Sequence, residues 1–333
     1  MRLLLILFIF LISCSHRIKL PERSSYSIAD TISFKINDRK GIVDSVILRS
    51  ENAVLHKSKY VPWVKLPAAE LHPGNNLTTI SLKLKKGKPV MRRKDLFVVS
   101  DIIPEKYKLK VITTLPHDTS AFVQGLEMHR GLLYESTGLK GKSRLRIIDP
   151  GTGKCIRDKR TDPELFNEGI AFVHDTLYMI TWKDSVIMTF DEYLNEIGKK
   201  TFISEGWGMF SHNDTIYFSN GTNEIIKFDP FTEKFLDTLR VVNEKGPVNY
   251  INEMEWVNGK IWANVYGLDN IIVIDPYTGK VFAVIETEKI INRYKYPKAG
   301  VMNGIAYDKE KNRVFLTGKN WPFIKVFLPY FAD

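Results

Sequence analysis

The stretch that decides the fold begins Gly259-Lys260-Ile261-Trp262 and reaches Ile274-Asp275-Pro276-Tyr277-Thr278-Gly279-Lys280. It reads as a strand, a polar gap, a second strand, a Pro/Gly turn and the start of a third strand. The chain repeats this pattern. Other units begin Gly131-Leu132-Leu133-Tyr134, Asp175-Thr176-Leu177-Tyr178, Asp214-Thr215-Ile216-Tyr217 and Asn312-Arg313-Val314-Phe315, so the starts are 44, 39, 45 and 53 residues apart. The turn recurs as Asp149-Pro150-Gly151-Thr152-Gly153-Lys154 and Asp229-Pro230-Phe231-Thr232. Units that repeat at this period and cannot bury both faces alone predict a five-bladed β-propeller over residues 105–330, with room for four strands per blade. Tyr107 to Thr114 precedes the first unit, and Ile324 to Leu328 lies in the last. Pairing between these two ends would close the ring and remove its open edges. A single sandwich is the alternative, but it leaves the repetition unexplained.

Upstream, residues 26–101 read as a small β-sandwich, immunoglobulin-like in scale. Ile32-Ser33-Phe34-Lys35-Ile36 and Leu77 to Leu84 alternate apolar and polar residues, and Pro73-Gly74-Asn75-Asn76 marks a turn. The expected class is therefore all-β throughout. No cluster of chemically useful residues falls in the sandwich, which is assigned a spacer or docking role.

The 333 residues carry a formal charge of +10. Residues 15–104 hold 17 Lys/Arg against 8 Asp/Glu, whereas residues 105–333 hold 30 of each. The larger region is electrically balanced, which excludes a nucleic-acid-binding reading of the whole chain. The excess, concentrated in runs such as Lys83 to Lys94, reads as a solvated face, with a membrane-surface patch as the alternative.

Met1-Arg2, the apolar stretch Leu3 to Ile12 and then Ser13-Cys14 predict a signal peptide over residues 1–14. The apolar core is too short to span a bilayer. Leu11-Ile12-Ser13-Cys14 resembles a bacterial lipobox, in which Cys14 receives lipid, against the alternative of an ordinary signal peptide that contains a cysteine. The expectation is an exported lipoprotein of the bacterial cell envelope, anchored on the periplasmic side or the cell surface. Only Cys155 then remains, so no intrachain disulfide is available.

Residues at the same stage of each repeat are the ones that can converge at one mouth of a ring. They are Phe122-Val123-Gln124-Gly125-Leu126-Glu127, Asn167-Glu168-Gly169-Ile170, Ser204-Glu205-Gly206-Trp207-Gly208, Asn252-Glu253-Met254-Glu255 and Met302-Asn303-Gly304-Ile305. The following strands add Trp182, Tyr266 and Lys319. The plain alternative is structural: amides and acids satisfying turns, with aromatics filling core. Different polar groups at equivalent positions favour a shared ligand pocket, because a purely structural role would be served by identical ones. None of the seven histidines has a second at helical metal-ligand spacing, and no Cys-x-x-Cys, phosphate loop or Gly-x-Ser-x-Gly occurs. No metal or cofactor is expected.

These motifs, together with Leu133-Tyr134-Glu135-Ser136-Thr137-Gly138-Leu139, Gly141-Lys142-Ser143, Thr181-Trp182-Lys183, Asn303-Gly304-Ile305-Ala306-Tyr307-Asp308 and Thr317-Gly318-Lys319-Asn320-Trp321-Pro322, resemble the plant and bacterial type of glutaminyl-peptide cyclotransferase. The resemblance covers roughly residues 105–328 and leaves the sandwich outside. It implies a five-bladed propeller that converts the N-terminal glutamine of a peptide or protein to pyroglutamate with release of ammonia, distinct from the animal zinc enzyme. It places catalytic groups on Gln124, Glu168, Asn252 and Lys319, and substrate-binding walls on Phe122, Trp182, Trp207 and Tyr266. The family usually has tryptophan where this chain has Tyr266. Glu168 is the expected proton shuttle, with Glu253 next in line. The competing readings are a lipid-anchored propeller that binds a peptide or glycan without catalysis, and a quinoprotein-like or lactonase-like propeller, for which no cofactor or calcium ligands are identifiable.

Overall fold

The computed structural model describes residues 16–51, 53–202, 204–287 and 295–329. Cys14 and the expected signal peptide lie outside them. The chain divides into two compact units, Met1–Asp101 and Ile102–Asp333. Both are built from strands, with one short 3-10 turn at Ala68–Glu70 among the described residues. No helix among those residues is long and apolar enough to cross a membrane.

In the first unit, a three-stranded sheet holds His16–Lys19, Thr31–Asp38 and Trp63–Pro67. A five-stranded sheet runs in the order Ser25–Ser27, Val90–Val99, Gly74–Leu84, Val43–Ser50, Ala53–Lys59. Alternation drives both. Ile32, Phe34 and Ile36 from one sheet meet Val46, Leu48, Ile80, Leu82, Leu96 and Val98 from the other in a single apolar core. The turn expected at Pro73–Asn76 ends earlier than its sequence suggests. The strand already starts at Gly74, whose φ of +94° suits glycine. The buried Asn76 amide closes the bend by donating to the His72 and Gly74 carbonyls and accepting from the His72 N–H.

The described residues of the second unit form five sheets built on four antiparallel strands each, beside a two-stranded ribbon of Val242–Asn243 and Gly246–Pro247. Their leading strands are Val123–His129, Asn167–Val173, Met209–His212, Ile251–Val257 and Met302–Asp308. Each leading strand neighbours the next, and the fifth neighbours the first. The repeat read from the sequence is thus offset by one strand, because its units open on the second strand of each sheet, such as Leu132–Thr137 and Lys260–Val265. Burial falls from inside to outside. Every residue of Asn167–Val173 is buried, whereas Glu196–Thr201, the fourth strand of that sheet, is almost wholly exposed. This gradient explains why the leading strands are rich in apolar and small residues and the outer strands of the first three sheets in charged ones.

The Asp-Pro turns that made the repeat visible join the third and fourth strands. Asp149 Oδ1 accepts from the main-chain N–H of Gly151 and Thr152 and from the Thr152 hydroxyl, and Asp275 does the same with Tyr277 and Thr278. The fifth sheet joins distant parts of the chain. Val111–Pro116 pairs antiparallel with Phe323–Phe327 and completes Met302–Asp308 and Arg313–Gly318. The segment Tyr107 to Thr114, read as one element, is divided. Glu105–Tyr107 runs parallel to Val281–Glu286 as an added fifth strand of the fourth sheet, while Val111 onward enters the fifth.

Candidate functional site

Four of the five leading strands are irregular where the motifs fall. The pairing register shifts between Val123 and Gly125, between Asn167 and Ile170, between Ile251 and Met254, and between Met302 and Ile305. The unpaired positions are Gln124, Glu168, Asn252 and Asn303 with their neighbours. A bulge turns a side chain out of the regular alternation, which lets a polar group point away from the surrounding core. Gly208 serves the same end by close approach: a Cβ there would lie 2.1 Å from the carbonyl oxygen of Asn252. The Ser219 hydroxyl fixes this junction, accepting from the Gly208 N–H and donating to the Asn252 carbonyl.

All eight residues expected at the site, Phe122, Gln124, Glu168, Trp182, Trp207, Asn252, Tyr266 and Lys319, line one pocket of about 330 Å³, together with Leu139 and Phe166. A pocket of this size suits one or two amino-acid side chains. Its floor is polar and its walls are aromatic. Phe122, Phe166 and Trp182 meet in succession, at ring-centre distances of 6.4 and 5.6 Å, and Trp207 packs edge-on to Tyr266 at 5.9 Å. Trp182 and Tyr266 are exposed at the rim, whereas Gln124, Glu168, Asn252 and Lys319 are buried.

The polar groups have defined partners. Gln124 Oε1 accepts from Asn303 Nδ2 at 3.0 Å, which turns the Gln124 NH2 toward the Glu168 carboxyl. Burial pushes the Glu168 carboxyl well above the usual carboxylate range and the nearby Glu205 adds to this, while Lys319 and Gln124 pull the other way. The Lys319 ammonium sits 4.7 Å from the Phe122 ring centre and 5.3 Å from that of Tyr266. Burial lowers its pKa and the charge of Glu168 opposes the shift. Asn252 Oδ1 is buried without a hydrogen-bond partner among the described residues, an acceptor left open at the pocket floor. A carboxyl raised by burial can move a proton, a buried cation can steady a developing negative oxygen, and the open Asn252 acceptor can take a substrate N–H.

Glu253 lies elsewhere. Its two oxygens accept from the main-chain N–H of Leu126 and Ile305, so it ties the fourth leading strand to the first and fifth. Burial first, then Glu255, raises its carboxyl well above the ordinary range. Glu255, raised to about 8 mainly by burial, likewise accepts from Trp256 and Tyr307 N–H. These acids are interstrand ties, and the geometry separates them from the pocket. Among the described residues, no group of three or more His, Cys, Asp or Glu side chains could hold a metal ion.

Sequence reasoning omitted Phe166 and Leu139 from the site, and it placed Asn303 among the converging residues without its role as the support of Gln124. Phe166 directly precedes the Asn167-Glu168-Gly169 motif, and Asn303 occupies its equivalent in the fifth repeat, so position within the repeat was the available signal.

The family model described as glutamine cyclotransferase matches residues 90–327, which reaches back into the last strand of the first unit. A glutaminyl-peptide cyclotransferase of Arabidopsis thaliana is 35% identical over 224 residues, covering 65% of this chain and 69% of the relative. The crystal structure of Myxococcus xanthus glutaminyl cyclase superposes with a TM-score of 0.63 at 30% identity, covering 69% of this chain and all of that one.

Proposed function

We propose that this chain, which belongs to the glutamine cyclotransferase family, converts the N-terminal glutamine of peptides or proteins to pyroglutamate with release of ammonia, an intramolecular acyl transfer. The observation that carries the reading is the convergence of Gln124, Glu168, Asn252 and Lys319 on one aromatic-walled pocket. The circuit of five leading strands supports naming the second unit a five-bladed propeller. The single core between two sheets supports an immunoglobulin-like sandwich over residues 26–101.

In this mechanism the aromatic walls hold the glutamine side chain curled over its own amine, an orientation that removes several kcal/mol of the barrier. The α-ammonium gives up a proton to water, and the neutral amine forms a bond to the γ-carboxamide carbon. The carbonyl oxygen takes up negative charge beside the Lys319 ammonium, while the open Asn252 Oδ1 can accept an N–H of the substrate. Glu168 accepts the second amine proton and delivers a proton to the carboxamide nitrogen. The carbon–nitrogen bond then breaks, and ammonia leaves with the lactam formed. Burial raises the Glu168 carboxyl, which favours its holding the proton that it delivers to the leaving nitrogen. Gln124 orients Glu168 through its amide. No step calls on a metal. We further propose that lipid on Cys14 anchors the chain at the bacterial cell envelope, on the strength of the Leu11-Ile12-Ser13-Cys14 pattern.

Incubation of the protein with a Gln-initiated peptide, followed by mass spectrometry, is expected to show loss of ammonia that a chelator does not change. Binding of the peptide without conversion would establish the non-catalytic alternative, and chelator-sensitive conversion would exclude the metal-free route.

A further inference from the structure

The two site tryptophans share one partner that is not itself a pocket wall. Trp182 Nε1 donates to Glu205 Oε1 at 2.6 Å, and Trp207 Nε1 donates to the same oxygen at 3.0 Å. Trp182 follows the second strand of the second sheet, Thr176–Thr181, and Trp207 precedes the leading strand of the third. One carboxylate oxygen therefore links walls supplied by two different sheets.

The backbone holds that carboxylate in place. The Gly206 N–H donates to the carbonyls of both Thr181 and Trp182, and the Trp207 N–H donates to Ser219. Trp207 lies flat against Gly221, where a Cβ would fall 2.6 Å from the indole ring. An indole can pack against its surroundings without any partner for its N–H. Two N–H groups aimed at a single acceptor instead fix both ring planes, because hydrogen bonds are directional.

We propose that Glu205 is a positioning residue that sets the spacing of the Trp182 and Trp207 walls and so determines how tightly the N-terminal residue of the substrate is gripped. The inference rests on the cyclotransferase reading for its kinetic consequences and on the hydrogen bonds alone for its structural ones. Walls that contact the substrate equally before and during reaction act on KM rather than kcat. Glu205 also places a negative charge near Glu168, so its neutralisation favours ionisation of Glu168.

Three substitutions separate reach, charge and acceptor. Glu205→Ala removes all three, and Glu205→Asp keeps the charge but shortens the reach by one methylene. Both are expected to raise KM for a Gln-initiated peptide about tenfold, with kcat within about threefold of the parent. Glu205→Gln keeps an acceptor at the same reach, so KM returns to within about threefold while the acidic limb of the kcat profile moves to lower pH. In 15N-correlated NMR spectra, the indole N–H signals of Trp182 and Trp207, assigned with Trp182→Phe and Trp207→Phe, are expected to shift upfield in Glu205→Ala. A Glu205→Ala protein with KM within twofold of the parent, or a Glu205→Gln protein as impaired as Glu205→Ala, would overturn the proposal. Should the parent release no ammonia, the cyclotransferase reading fails by itself. The indole signals then decide separately: movement of both supports Glu205 as their common holder, and absence of movement removes it.

Discussion

The two units use strands alike and bury different chemistry. The first has a core mainly of Ile, Leu, Val and Phe, and among its described residues the buried polar ones are Ser50, Asn76, Thr78 and Ser100. The second encloses Gln124, Glu135, Arg146, Glu168, Asn252, Glu253, Glu255, Asn303 and Lys319. Burying an ionisable group opposes folding unless it is paired or neutralised, so a sheet protein that needs only stability has no use for such a set. The contrast teaches where function sits. One unit spends its interior on packing and the other on groups whose protonation states are displaced.

The largest effect that sharpens this contrast is expected from Glu168→Gln. Turnover should fall at least about a hundredfold while the thermal midpoint is unchanged or higher, since a buried acid becomes a neutral amide. Ammonia release and calorimetry on the same sample check both halves, and unchanged turnover would remove Glu168 as proton shuttle. The mirror experiment is Leu48→Ala in the first unit. A cavity at this fully buried position should cost about 3 kcal/mol of stability and leave kcat within about twofold. Denaturant unfolding and steady-state kinetics measure the two, and a large loss of kcat in the folded protein would break the division of labour.

A third effect follows from protonation. Burial raises the carboxyls of Glu168, Glu253 and Glu255, and also that of the half-buried Glu127, which the charge of Glu255 raises further. Groups raised in this way bind more protons folded than unfolded. Stability of the second unit should therefore decline as pH rises from the ordinary carboxylate range toward about 8, the Glu255 value. His117 acts in the same direction. Burial lowers its pKa, but Glu135, 2.6 Å away, and the Trp321 carbonyl outweigh this, so its contribution is present below the unfolded value and is lost as pH rises through the folded one.

In the first unit, burial raises Asp38, but main-chain donors including Val43 and Ile42 outweigh it and lower the pKa. Its contribution is present above the unfolded value and disappears on acidification. Between pH 5 and 8 the second unit should lose about 5 °C while the first stays level. Amide exchange in Ile80–Leu82 and Ile170–Phe172 reads the two separately, and parallel behaviour would refute the contrast. The smallest effect is expected from Tyr266→Trp, which enlarges the wall beneath the Lys319 ammonium and should lower KM about threefold. An unchanged or higher KM would show that this position does not grip substrate.

Much of this was legible in the sequence because it recurs. The Asp-Pro turns at 149, 229 and 275 exposed the repeat, motifs at equivalent stages gathered Gln124, Glu168 and Asn252 with Lys319 on a following strand, and the family resemblance singled them out as site groups. What escaped has no periodic trace. The bulges that aim those side chains depend on pairing register, which alternation does not encode at single-residue precision. The parallel pairing of Glu105–Tyr107 with Ala283–Ile285 joins segments far apart, and three residues are too few to announce it. Glu205 reads as one more acid in its motif until the indole of Trp182, 23 positions away, is seen to share it. The offset of the repeat by one strand had a similar source, since the leading strands vary with function while the second and third strands keep the common pattern.

The seam in the fifth sheet gives the site a place in time. Val111–Pro116 waits for Phe323–Phe327, and Lys319 lies just before that strand. During synthesis four sheets can assemble from local hairpins while the fifth still lacks its middle. The ammonium reaches the pocket only as the same stretch zips the circuit shut. A nascent chain that stalls before Lys319 thus carries neither a finished ring nor a complete set of reacting groups.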